Sequence, residues 1–133
     1  MQVPAPVVEA FTELRMKSTH RYMIMKISDD RSSIEIEHLG EKEATFDEFK
    51  AKVIPNSPRF IIYDLCWKTD DGRAVSKICF INYNPDGEQD ASDLRFICAN
   101  AKEAVKAKLN PTHREFQIND YADIKESEWI EEF

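Results

Sequence analysis

The chain has 133 residues, enough for one core but not comfortably for two, with ordinary hydrophobic (42%) and aromatic (11%) content. Its 25 acids outnumber 18 bases for a formal charge of -7, which argues against bulk affinity for nucleic acid or an anionic membrane. No apolar run is long enough to span a bilayer, Met1-Gln2-Val3-Pro4 is no signal peptide, and Cys66, Cys79 and Cys98 sit in apolar stretches without CxxC spacing. We therefore expect a cytosolic protein with free thiols.

In chain order, "PAPVVEAFTELRMK" predicts a first helix: Val7, Phe11 and Leu14 make one apolar stripe, and Pro6 suits the first turn. "RYMIMKI" and "SSIEIEHL" read as a hairpin around the polar "SDDRS", the second strand alternating with Ile34, Ile36 and His38 on one face. "TFDEFKAKVI" is a second helix with Thr45 as N-cap, Glu48 as its capping-box partner and Pro55 as its stop. "RFIIYDLCW" and "SKICFINY" are nearly continuous apolar runs joined by "KTDDGR", as expected for strands buried on both faces. After the loop "NPDGEQDAS" comes a third helix, "RFICANAKEAVKAKL", stopped by Asn110-Pro111. "REFQI" is a short edge strand, and "KESEWIEEF" a last short helix. The order αββαββαβα predicts an α/β (α+β) fold, one domain over residues 1–133, with a central mixed sheet of about five strands flanked by helices on both faces.

Little in the chain signals catalysis. Three glycines, Gly40, Gly72 and Gly87, cannot build a phosphate loop. His20, His38 and His113 stand alone, so no metal is expected, and the acid pairs Asp29-Asp30 and Asp70-Asp71 fall in predicted turns. We read a binding module with no cofactor rather than an enzyme. The third helix supplies the binding surface. At about 100° per residue, Ala99, Lys102 and Lys106 fall within roughly 40° of Arg95, forming a stripe about 16 Å long. Leu94, Ile97, Ala101 and Val105 form a core face a quarter-turn or more away. On residues alone, a solvated face and a partner surface both remain open.

The order of "RFIIYD", "SKICFI", "NPD" and "ANAKEAVKAKL" resembles the actin-depolymerising factor homology domain, above all the ADF/cofilin family with its "RYxxYD", "SKIxFxxWxPD" and "KMxYASSKDAxKxxL" segments. "AFTELRMKSTHRYMIMKI", "TFDEFKAKVIPN" and "FQINDYADI" extend the likeness over nearly the whole chain. The resemblance implies a cytoplasmic, cytoskeletal actin-binding protein, a monomer that is not an enzyme. Such proteins bind actin monomers, often ADP-actin, and filaments, and promote filament disassembly. It implies a common actin surface of Val3 in the N-terminal segment with Arg95, Ala99, Lys102 and Lys106 on the long helix; Lys108 matches a later basic position.

The resemblance also implies a filament-specific surface at Arg73, Lys77, Glu131 and Glu132. There Val75 replaces one basic residue, and Glu131-Glu132 stand where members often carry a Glu-Arg pair. Asp93 lies just before the expected helix in place of a cation, "DGEQDAS" is longer and acidic, and Val3 leaves no counterpart for a regulatory serine. We therefore expect monomer binding to survive better than filament binding or severing, no phosphorylation control at that position, and only weak phosphoinositide interaction. "PRFIIY", "DDGR" and "EWIEEF" also resemble glia maturation factor, which binds the actin-branching complex and removes branches; coactosin-like or isolated twinfilin-like domains are further alternatives.

Overall fold

The computed structural model describes residues 1–85 and 92–133, with side chains of the long helix from Leu94 onward. The described helices and strands follow the predicted order: α1 (Ala5–Lys17), β1 (His20–Ile27), β2 (Ile34–Glu41), α2 (Phe46–Lys52), β3 (Arg59–Lys68), β4 (Ala74–Tyr83), α3 (Ser92–Lys108), β5 (Arg114–Ile118) and α4 (Glu126–Glu131). A 3-10 turn, Tyr121–Asp123, precedes α4. The strands form one five-stranded sheet in the order β2-β1-β3-β4-β5. All pairings are antiparallel except β4 with β5.

The two-sided burial expected of β3 and β4 is what divides the core. On one face Phe60, Ile62 and Phe80 pack against Val7, Phe11 and Leu14 of α1 and Cys98, Ala101 and Val105 of α3. On the other, Ile61, Tyr63 and Ile81 pack against Phe49 of α2 and Trp129 of α4. Aromatic edges lock that second layer: Phe49 lies 4.8 Å from Tyr63 and Phe46 lies 5.3 Å from Trp129, centroid to centroid. Ring pairs in such tilted arrangements contribute beyond their burial.

The expected local signals are seen in detail. The Thr45 hydroxyl accepts from the Glu48 N–H, and Glu48 accepts from the Thr45 N–H, each at 3.1 Å. Gly72 turns the β3–β4 hairpin at φ 86°, a backbone region that favours glycine. In the β1–β2 turn Asp30 accepts from the hydroxyls of Ser28 (2.6 Å) and Ser32 (2.7 Å), and these bonds lower its pKa to about 2. Asp71 likewise accepts from the Thr69 hydroxyl in the β3–β4 turn, so one acid of each pair serves its own turn.

Three expectations need correction. The strict alternation of β2 fails because Met25 pairs with Ile36 but Ile24 with His38, leaving Glu37 as an extra residue. This bulge separates His38 from the face of Ile36 and lets Glu37 grip Arg59 with two bonds, 2.9 and 3.0 Å. Burying Arg59 demands such a partner, and that demand outweighs regular pairing. Next, α3 spans Ser92–Lys108, so Asp93 lies within the helix rather than before it. Finally, α2 closes at Lys52, before the segment leading to Pro55, because a residue preceding proline is pushed toward extended backbone. Most of the predicted "NPDGEQDAS" loop, residues 86–91, lies outside the described residues.

Candidate functional site

The site begins with why α3 sits as it does. Cys98, Ala101, Val105 and Leu109 are buried, and Leu94 and Ile97 are half-buried against the same core. Those positions fix the rotation of the helix, and the rotation decides which side chains reach outward. Ala99 is exposed, as the predicted stripe requires, but Arg95, Lys102 and Lys106 are only half-exposed. Cys98 and Leu109 extend the core face toward the cationic stripe. Lys102 and Lys106 therefore lie on the flank of α3 beside β5, not on its crest.

The flank position has an electrostatic consequence. Lys102 Nζ lies 2.6 Å from Glu115 Oε1, and Lys106 Nζ is paired with the other oxygen of the same carboxylate. Burial pushes the Glu115 carboxyl up, but hydrogen bonds from Lys102 and Lys106 overcome it and hold the pKa below its usual value. The same bond raises the pKa of Lys106. The stripe read from the sequence is thus partly answered within the chain: two of its cations share an internal acid. Sequence periodicity could not reveal this, since Glu115 belongs to a different element.

The crest of α3 carries Phe96, Ala99, Asn100, Glu103, Ala104 and Ala107, all exposed. Phe96 is 71% exposed, the most exposed of the large hydrophobic side chains described. Sequence reasoning missed it, although a signal existed: at about 100° from Arg95 it belongs to neither the stripe nor the core face. The helix thus offers one large apolar side chain on a bed of small residues, edged by cations.

Val3 lies elsewhere in character. It is half-buried and packs against the core beneath α1 and α3. The Gln2 N–H donates to the Ser32 carbonyl (2.9 Å) and the Ile34 N–H to the Gln2 carbonyl (3.0 Å), tying the N-terminal segment to the start of β2. The tie holds this segment in a defined path.

The residues proposed for a second surface meet at the β3–β4 hairpin and α4. Arg73 and Lys77 line a groove with Trp67, Val75, Ile130 and Phe133, and the rings of Trp67 and Phe133 are 5.6 Å apart. Arg73 pairs with Asp71 at 3.0 Å in an exposed ion pair. Glu131 is exposed, whereas Glu132 pairs with Arg114 at 2.6 Å. The acid at Glu132 is therefore partly answered from within the chain.

Groups that could support chemistry are used structurally. Burial raises the pKa of the Cys79 and Cys98 thiols to about 12, which disfavours the reactive thiolate. Ser76 Oγ donates to the buried Asp64, and Cys66 Sγ also lies 3.5 Å from that carboxylate. His113 Nδ1 accepts from the Ile78 N–H at 2.8 Å and His20 Nδ1 lies 3.1 Å from the Gly40 carbonyl. Among the described residues no group of three or more His, Cys, Asp or Glu is placed to hold a metal, and no helix is long and apolar enough to cross a membrane.

A five-stranded mixed sheet between two helical layers, with a long helix presenting a small-residue crest, agrees with the resemblance in the sequence. The whole chain, residues 1–133, matches the family described as cofilin/tropomyosin-type actin-binding protein. This chain belongs to the ADF/cofilin family. An actin-depolymerizing factor from Vitis vinifera is 34% identical over 110 residues, covering 83% of this chain and 76% of the relative. The crystal structure of Streptomyces griseoflavus cofilin superimposes with a TM-score of 0.86 at 18% identity, covering 98% of this chain and 95% of that one, which speaks to the fold. The solution structure of glia maturation factor from Caenorhabditis elegans matches with a TM-score of 0.76 at 25% identity, covering 99% and 94%. The ADF/cofilin fold is thus shared by relatives with different names.

Proposed function

We propose that this ADF/cofilin-family chain binds actin monomers, ADP-actin in particular, and promotes filament disassembly by binding rather than by catalysis. The contact surface is the crest of α3 with Ala99 and Phe96, flanked by Arg95, Lys102 and Lys106, together with the N-terminal segment at Val3. The observation that carries this reading is Phe96, 71% exposed on a long helix whose other crest residues are mostly small. An exposed aromatic on a surface that permits close approach is the composition of an interface anchor, and cations around it assist orientation toward an acidic partner.

Filament binding and severing are proposed to be weaker than monomer binding. Arg73 and Lys77 offer cations at the hairpin, but Val75 adds none and Glu131 and Glu132 bring negative charge at α4. Phosphoinositide binding is weak on the same grounds, and the chain acts as a cytoskeletal monomer. The decisive experiment reverses Arg95 and Lys102 to Glu and measures affinity for ADP-actin monomers. A loss of at least about tenfold, roughly 1.4 kcal/mol, is expected; a smaller loss rejects the flank as a binding element. Co-sedimentation with filaments is expected to be weak, and strong pelleting without depolymerisation contradicts the proposed imbalance. A second reading, branch removal through the actin-branching complex, is favoured by the likeness to glia maturation factor; binding to that complex without binding to actin would establish it.

A further inference from the structure

We propose that Glu115 is a positioning residue that withholds Lys102 and Lys106 from an acidic partner and so sets the electrostatic share of binding. This inference rests on the actin reading above and concerns a residue outside the α3 surface. Glu115 sits on the edge strand β5, opposite Phe80 in the parallel register. Lys102 and Lys106 lie one helical turn apart, so their ammonium groups converge on one carboxylate, one at each oxygen. The Glu115 side chain is 23% exposed, that of Lys102 26% and that of Lys106 39%. The acid is thus the more enclosed partner, held by the strand, while the lysine stems lie along the helix.

Two consequences follow from this geometry. Three charged groups present a net single positive charge at a distance, which reduces steering toward an acidic surface. At contact, a carboxylate of the partner must compete with one already in place and partly shielded from water. The flank cations therefore act at reduced strength, and the apolar crest with Phe96 carries more of the affinity.

Glu115→Gln tests the inference because glutamine keeps the shape and an acceptor but removes the charge. Association with ADP-actin monomers, followed by stopped flow at low salt, is expected to speed up by about three- to tenfold, with the gain shrinking as salt screens it. In a Lys102→Gln/Lys106→Gln background the same change is expected to give no gain. An unchanged or slower association of Glu115→Gln, or an equal gain in the background lacking both lysines, overturns the proposal. A purely structural tie would lower thermal stability without altering the salt dependence of association. The clasp is also read without actin: by NMR titration, the Glu115 carboxyl is expected to ionise at lower pH in the wild type than in the double lysine variant. Equal midpoints overturn the clasp, whereas a wild type that does not associate with actin monomers overturns the actin reading and this role together.

Discussion

Replacing Phe96 with alanine isolates what the crest of α3 contributes. The side chain is 71% exposed, so burying it on a partner removes about 140 Å² from water if an aromatic residue presents roughly 200 Å². At about 25 cal/mol per Å² the upper bound is ~3.5 kcal/mol. Alanine retains the backbone and Cβ share, and ordering the ring on binding offsets part of the remainder, leaving about 2 kcal/mol. Affinity for ADP-actin monomers is therefore expected to fall by about 30-fold. The folded chain, by contrast, loses almost no internal packing, so its unfolding free energy is expected to change by less than about 0.5 kcal/mol. Calorimetric titration against ADP-actin, paired with urea unfolding of the same preparation, measures both. A loss of affinity below threefold with unchanged stability refutes the anchor. A loss of stability above about 1 kcal/mol refutes the premise that the ring lies free on the crest.

Two further changes probe the framework that holds this surface. Glu37→Gln leaves the Arg59 guanidinium buried without its anion and is expected to cost about 3 kcal/mol in urea unfolding at neutral pH. Burial raises the Glu37 pKa, but the hydrogen bonds and charge of Arg59 outweigh it and lower it overall. The contribution is thus fully present above the unfolded carboxyl value of about 4.3 and is lost as pH falls through the folded value. The difference between wild type and variant is expected to narrow in acid, and a gap constant from pH 7 to pH 3 contradicts the pairing. Gly40→Ala would place its Cβ 2.1 Å from the Tyr22 ring, which is itself packed 5.2 Å from Phe49. A destabilisation of about 2 kcal/mol is expected, and a change under about 0.5 kcal/mol would show that the ring yields freely.

Whatever depends on near neighbours in the chain is legible in the residues themselves. The stripe Val7–Phe11–Leu14 identified the buried side of α1, Thr45 and Glu48 announced the start of α2, and the unbroken apolar runs of β3 and β4 required cover on both faces. Each is a periodic or capping signal carried within a few residues. The resemblance added the family and its candidate surfaces, but not the state of their charges. Tertiary structure alone decided that Glu37 leaves the alternation of β2 to meet Arg59, because the buried cation stands on another strand. It decided also that Lys102 and Lys106 meet Glu115, because β5 joins the sheet in parallel beside β4 and brings that acid under the flank of α3. The rotation of α3 then follows from how Cys98 and Leu109 pack, leaving Phe96 on the crest and the cations beside it. A helical wheel gives angles between side chains; the direction of water and the identity of a charge partner come from elements distant in sequence.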